Sequence, residues 1–229
     1  MKHPALPPVA RVKGITPRPG TKAHGQLLCE RLAEVYPDSR CSLDFHNAFE
    51  LLVATALSAQ TTDARVNSVT PELFALYPSA LALAHAPQED LERILRPIGF
   101  FRAKARNLRG LGLGLIQDYE GEVPGTLEEL TTLPGAGVKT ANVVLGNWFG
   151  VPAITVDTHV GRLSRRLGLS RKTDPLQVEA DLNRVLPRES WVVACHQLID
   201  HGRAICTARR PLCGRCPLVD LCPSAGLYG

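Results

Sequence analysis

The chain has 229 residues, of which 45% are hydrophobic and 21% charged, a composition typical of a globular protein with one large or two small cores. No apolar run reaches the about 20 residues of a membrane span, and no secretory signal pattern is present, so we expect a cytoplasmic protein. The net charge is +4, but residues 1–22 carry five basic residues and no acid, which leaves −1 for the rest. A polyanion-binding surface in the folded part would therefore need local clustering of basic residues.

Residues 1–22 also contain five prolines. Proline fixes φ and lacks a backbone N–H, so this segment is predicted to be a disordered, basic, proline-rich tail. Two interpretations of the tail remain open, a solubilising extension and an arm that contacts DNA without sequence preference.

Apolar residues recur at helical spacing through the rest of the chain, and alternating runs with turn signals are missing, so we predict an all-α fold without a sheet. The predicted helices span 23–36, 45–59, 62–69, 71–76, 79–84, 87–95, 102–119, 126–130, 139–149, 158–167, 175–186 and 189–201. We expect two helical lobes, one formed by residues 42–151 and the other by residues 23–41 together with 152–229. The crossing at residues 151–157 is expected to line a cleft.

Residues 130–149 hold a glycine turn followed by a helix. Gly135 and Gly137 precede that helix, and backbone N–H groups at a helix N-terminus bind anions. Lys139 lies in the first turn, where the helix dipole disfavours a cation by about 0.3–1 kcal/mol. A neutral lysine amine is a nucleophile that forms a Schiff base, whereas the alternative is an ordinary surface lysine. One helix face, with Val138, Ala141, Leu145 and Trp148, is predicted to be core.

Asp157 opens the next predicted helix, in the sequence VDTH. As an N-cap it would need no further explanation, because Asp is a preferred capping residue. A carboxylate at the predicted cleft can also stabilise a developing cation or transfer a proton, and capping would hold it in place. His159, two residues later, is interpreted as a structural residue or a phosphate contact, with a catalytic base as the alternative.

The cysteines fall into two groups. Three are isolated and predicted to be small buried hydrophobic residues: Cys29, Cys41 and Cys195. Four lie within 17 residues in the pattern C-x6-C-x2-C-x5-C: Cys206, Cys213, Cys216 and Cys222. Thiolates this close need a metal, and a single C-x2-C step flanked by longer loops favours an iron–sulfur cluster over zinc, which remains the alternative.

Basic residues surround this cysteine pattern, with Arg209 and Arg210 inside it. Their charge can offset that of a thiolate cluster, and the same arginines can contact DNA phosphates. Both interpretations can hold together.

The motifs together resemble the endonuclease III branch of the helix-hairpin-helix DNA glycosylases. The resemblance rests on the hairpin LPGAGVKTA, on VDTH with its aspartate eighteen residues after the lysine, on the cysteine pattern, and on LSAQTTD at residues 57–63. It covers about residues 25–223. It implies a six-helix barrel lobe with the helix-hairpin-helix motif, an iron–sulfur lobe whose four cysteines hold a 4Fe-4S cluster, and a DNA-binding cleft between the lobes.

The resemblance also implies a reaction. Lys139 would attack the sugar C1′ of a flipped, oxidised pyrimidine nucleotide in duplex DNA, with Asp157 assisting, and the Schiff base would permit β-elimination at the abasic site. A monomer in the cytoplasm, associated with the nucleoid, is expected. Phosphate contacts are expected from Gly135, Gly137 and the cysteine loop.

Two further residues are assigned by position in the family. Gln60 would enter the gap left by the extruded nucleotide, and Phe100 would wedge into the opposite side of the stack. The family commonly has leucine at this second position, and a core role for Phe100 is the alternative. Two other functions remain as alternatives: an adenine-mismatch glycosylase, against which Lys139 argues, and a non-catalytic iron–sulfur DNA-binding protein.

Overall fold

A computed structural model describes residues 16–227 of the protein, and the regular elements in this range are all helical. The all-α prediction is confirmed, and the six-helix barrel stays a prediction. The α-helices are α1 (Lys22–Val35), α2 (Ala48–Leu57), α3 (Asp63–Asn67), α4 (Thr70–Leu76), α5 (Ala80–Ala84), α6 (Gln88–Leu95), α7 (Phe101–Tyr119), α8 (Leu127–Leu130), α9 (Val138–Asn147), α10 (Thr158–Arg166), α11 (Pro175–Val185) and α12 (Trp191–Ala204). No helix in this range is long and apolar enough to cross a membrane.

Capping residues decide where these helices begin, and several predicted limits differ from the observed ones, as α2 and α1 illustrate. Helix α2 begins at Ala48 rather than residue 45, because the Asn47 side chain accepts a hydrogen bond from the Glu50 N–H at 2.8 Å. Helix α1 begins at Lys22, capped by Thr21, so the last residue of the predicted tail is helical. Residues 1–15 of that tail lie outside the described residues.

The chain divides into two compact units, Cys41–Val151 and the two flanking segments Met1–Arg40 and Pro152–Gly229. In the first unit α7 packs against α5 and α6, and α2 packs against α7 and α9. Its core is rich in leucines that are fully buried, each worth about 1.5–3 kcal/mol of burial. Gly112 of α7 is required by close packing, since a Cβ there would lie 2.8 Å from the Ala80 carbonyl oxygen.

The second unit combines α1 with α10, α11, α12 and the cysteine-rich segment. Leu218 and Leu221 of that segment are buried in the same core as the helices. Polar contacts from α1 hold the segment as well: Arg31 Nη1 donates to the Pro217 carbonyl at 2.9 Å, and His24 Nε2 lies 2.9 Å from the Leu221 carbonyl. Helix α1 thus anchors the chain around the four cysteines.

Candidate functional site

The hairpin before Lys139 joins two helices, α8 and α9. Gly135 has φ of +81°, and the Ala136 N–H donates to the Leu133 carbonyl at 3.1 Å, which closes the turn. Gly137 is the N-cap of α9 and supplies no side chain to the first N–H groups of the helix. These N–H groups are thereby available to an anion, and the exposed Lys139 lies in the first turn beside them.

The buried face of α9 differs from the prediction. Ala141, Val144 and Leu145 are buried, whereas Val138 and Trp148 are 45% and 44% exposed. Both exposed residues lie at the ends of the helix, Val138 as its first residue and Trp148 as its C-cap. The indole of Trp148 instead forms a T-shaped pair with the Phe45 ring, with ring centroids 6.5 Å apart.

Asp157 is the N-cap of α10, as the sequence predicted. Its Oδ1 accepts a hydrogen bond from the Val160 N–H at 2.7 Å, and the residue is half-buried. The contact leaves the second carboxylate oxygen for other partners while fixing the orientation of the group.

His159 follows in the first turn of α10. Arg162 Nη2 donates to its Nδ1 at 3.1 Å, and burial lowers the pKa of the imidazole below its usual range. The same guanidinium donates to the Gly202 and Cys206 carbonyls, so Arg162 links α10 to the end of α12 and to the start of the cysteine segment. His159 lies beside this link. A phosphate contact from His159 stays a prediction.

Gln60 and Phe100 share an uncommon backbone conformation. Both have left-handed φ, 54° and 57°, and the only other non-glycine residue with positive φ in the described chain is Glu120. Glu120 is the C-cap of α7, where a left-handed residue is ordinary, whereas Phe100 is the N-cap of α7 without a side-chain capping bond. Left-handed backbone in such residues costs about 1–3 kcal/mol and occurs often at functional sites.

Both side chains are exposed, and Phe100 retains 68% of its accessible surface. The core alternative for Phe100 is therefore wrong. An apolar ring on a strained, solvent-facing turn is free to contact a partner.

The four predicted metal-ligating cysteines line one cavity in the second unit, together with Arg166, His201 and apolar neighbours. Burial and the neighbouring thiols raise the pKa of Cys216 to about 12 and also raise the pKa of Cys222. Thiols that disfavour one another's ionised form need a cationic centre to become ligands. Among residues 16–227 no group of three or more His, Cys, Asp or Glu is arranged around a single ion position.

Helix α10 supplies positive charge to this cavity. Arg166 Nη1 lies 3.3 Å from Cys206 Sγ and 2.7 Å from the Thr207 carbonyl, and its Nη2 donates to the Ala208 carbonyl at 2.8 Å. The donor set of four cysteines around one cavity, with an adjacent guanidinium, fits an anionic iron–sulfur cluster. Sequence reasoning missed Arg162 and Arg166, although their spacing of four residues on a helix that Asp157 opens places them on one face.

Arg209 and Arg210 are exposed on the loop between Cys206 and Cys213, two of the cysteines that line this cavity. The Thr207 hydroxyl donates to the Arg210 carbonyl at 2.7 Å, which stiffens the loop without using either guanidinium.

The isolated Cys29 and Cys195 are buried, as predicted, and burial raises the pKa of each to about 12. Cys41 is only half-buried.

Comparison with known proteins agrees with this arrangement. A family profile described as "HhH-GPD superfamily base excision DNA repair protein" matches residues 53–188, more than half of the chain, and one described as the iron–sulfur binding domain of endonuclease III matches residues 206–222. Endonuclease III of Synechocystis sp. is 52% identical over 195 residues, which are 85% of this chain and 89% of that protein. Endonuclease III of Bacillus subtilis is 48% identical over 86% of this chain and 90% of its own.

A solved structure titled as a trapped endonuclease III–DNA covalent intermediate is also similar, with a TM-score of 0.84 and 47% identity over 90% of this chain and 97% of that one. The fold and the matched segments define the protein as a helix-hairpin-helix base excision DNA repair protein that binds DNA. Within that class, the chain belongs to the endonuclease III family. It is a bifunctional DNA glycosylase/AP lyase with a 4Fe-4S cluster domain.

Proposed function

We propose that this enzyme removes oxidised pyrimidines from duplex DNA and nicks the strand at the resulting abasic site, with Lys139 as the nucleophile. The observation that carries the proposal is the exposed Lys139 in the first turn of α9, behind N–H groups that no side chain caps. Those donors and Gly135 and Gly137 suit a DNA phosphate, which would bring the sugar of a neighbouring nucleotide to the amine.

The neutral Lys139 amine forms a bond to C1′ as the bond to the damaged base breaks, and the base departs with the electron pair and a proton. Ring opening then gives an imine between Nζ and C1′. Loss of a C2′ proton and of the 3′ phosphate is β-elimination, and water finally releases the lysine. Asp157, oriented by its bond to the Val160 N–H, stabilises the positive charge that develops on the sugar.

The nucleotide must leave the stack before C1′ can be reached, at a cost of a few kcal/mol. Gln60 and Phe100 are proposed to fill the space that the nucleotide vacates, with the Phe100 ring intercalating or stacking. Their exposure and left-handed backbone support this role. The Phe100 ring is wider than the leucine that is common at this position in the family. This difference is expected to affect which lesions and opposite bases the enzyme accepts.

Cys206, Cys213, Cys216 and Cys222 are proposed as the cluster ligands. The bound cluster would cross-link the segment and hold the exposed Arg209 and Arg210 on a rigid loop. These two guanidinium groups and His159 are proposed phosphate contacts, which would strengthen DNA binding without reading sequence. We further propose that the enzyme acts as a monomer associated with the nucleoid.

Substrate choice is tested with duplexes that carry one defined lesion. We expect base release and strand nicking from duplexes with an oxidised thymine, and no adenine release opposite oxidised guanine. Adenine release without nicking would contradict the proposal in favour of an adenine-mismatch enzyme. Tight binding to these duplexes without any base release would indicate a non-catalytic DNA-binding protein. Sedimentation with and without DNA tests the monomer.

A further inference from the structure

One side chain joins the turns that carry Gln60 and Phe100. Lys104 lies in the first turn of α7, and its backbone N–H donates to the Phe100 carbonyl at 3.0 Å. Its Nζ donates to Thr61 Oγ1 at 2.7 Å. Because Thr61 directly follows Gln60, a single residue is bonded to both turns.

Thr61 closes the turn that holds Gln60. Its N–H donates to the Ser58 carbonyl at 3.0 Å, and its hydroxyl donates to the Ala59 carbonyl at 3.5 Å. These two bonds enclose Gln60, whose left-handed φ of 54° needs support from its surroundings. The Lys104 ammonium therefore binds the Gln60 turn at Thr61, the residue that closes it.

The environment of Lys104 is unusual for a lysine. The residue is only 7% exposed, and burial lowers the pKa of its ammonium below the usual range. An apolar side chain of similar length, such as methionine, would occupy this space without desolvating a charge. What the lysine adds, compared with methionine, is a hydrogen-bond donor directed at Thr61. Its contribution is therefore to hold Thr61 in a defined position.

Helix α7 also supports the hairpin before Lys139. Added Cβ atoms at Gly110 and Gly114 would lie 3.2 Å from Pro134 and 3.0 Å from the Leu133 side chain, so the hairpin lies close against this helix. The helix that Phe100 caps thus contacts the hairpin by close packing and the Gln60 turn through Lys104.

We propose that Lys104 is a positioning residue that fixes the Gln60 turn relative to Phe100, so that the two side chains enter a DNA stack together. The inference rests on the proposed function, because it assumes that these side chains replace an extruded nucleotide. Loss of the Lys104–Thr61 contact should then impair nucleotide extrusion and leave later steps nearly unchanged.

Four variants test the contact: Lys104→Met, Thr61→Val, the double variant, and Thr61→Ser, which keeps the hydroxyl. We expect the first two to slow single-turnover excision of an oxidised thymine about tenfold, as the loss of one charge-assisted hydrogen bond would. Incision at a preformed abasic site should change less than about threefold by the same reasoning, because that site needs less unstacking. Thr61→Ser should excise at the native rate.

The double variant separates positioning from stability. Thr61→Val leaves a buried ammonium without its acceptor and should lower the melting temperature, and adding Lys104→Met should restore it. Excision by the double variant should nevertheless stay as slow as in either single variant. Recovery of excision together with stability, or equal losses of excision and incision, would overturn the proposal.

Amide hydrogen exchange gives a readout that does not depend on activity. In Lys104→Met, residues 58–61 should exchange faster while α2 itself keeps native protection. Unchanged exchange in this turn would overturn the inference even if the native enzyme excises oxidised thymine. A native enzyme that fails to excise any oxidised pyrimidine would instead contradict the proposed function, with the exchange experiment still deciding whether Lys104 holds the turn.

Discussion

At the scale of single residues, Asp157 combines a structural and a proposed chemical role in one carboxylate. The cap on α10 uses Oδ1 alone, which accepts the Val160 N–H at 2.7 Å. Asparagine caps a helix about as well as aspartate but carries no charge. The two roles can therefore be separated by one substitution.

We predict that Asp157→Asn changes the free energy of unfolding by less than about 1 kcal/mol, since only a charge–dipole interaction is lost. Excision of an oxidised pyrimidine should fall by at least about 100-fold, because the developing cation loses its counter-charge. Thermal unfolding and single-turnover kinetics measure both quantities. Asp174 is a matched control, because it caps α11 by accepting from the Gln177 N–H at 3.0 Å, and Asp174→Asn should excise normally. A native rate of excision by Asp157→Asn would show that Asp157 acts only as a helix cap.

At the scale of elements, the hairpin glycines do different work. Gly135 needs its left-handed backbone, and a Cβ there would lie 3.3 Å from Asn107 Cβ. Gly137 has an extended backbone that any residue adopts and open space around its Cβ position. Gly135 is thus required by the fold, whereas Gly137 leaves the start of α9 open to a ligand.

Gly137→Ser should therefore raise stability and weaken DNA binding. The serine hydroxyl would cap the free N–H groups, a contribution of roughly a few tenths of a kcal/mol relative to glycine, and would compete with a phosphate for the same donors. Thermal unfolding without DNA and titration with a duplex holding a stable abasic analogue check the two effects.

Gly135→Ala is the contrasting variant, and it should lose about 1 kcal/mol of stability from backbone strain. Undiminished DNA affinity in Gly137→Ser would show that the start of α9 does not bind phosphate.

The helices themselves follow from apolar periodicity, which is why the all-α fold and most helix positions were predictable. Helix ends were less so, since they depend on caps such as Asn47. The role of Lys104 had no sequence signal, because its partner Thr61 lies 43 residues away and most lysines are exposed. For Phe100 the sequence left core and surface open, and only the 68% exposure of its side chain in the structure decided between them.

At the scale of the whole molecule, the two compact units should respond differently to loss of the cluster. The cysteine segment contributes Leu218 and Leu221 to the core of the unit that contains α1, and no residue to the core of Cys41–Val151 among the residues that the structure describes. Its contacts with Arg31 and His24 are made by Pro217 and Leu221, which lie between Cys216 and Cys222.

Cys216→Ala should lower bound iron and increase amide exchange in α1 and in residues 206–222. Residues of Cys41–Val151 should keep native protection. Cys41→Ala, which removes a half-buried thiol from that unit, is the matched control and should keep its iron. Iron analysis and exchange mass spectrometry measure the outcome, and equal loosening of both units would contradict this division of roles.

Lys139 is the residue proposed to form the covalent bond to DNA. Borohydride reduction during reaction with a duplex carrying an oxidised thymine traps such an imine as a stable protein–DNA adduct. We predict an adduct with the native protein and with Lys172→Ala, a control at another exposed lysine, and none with Lys139→Ala. The absence of an adduct with the native protein, or an undiminished adduct with Lys139→Ala, would contradict the mechanism.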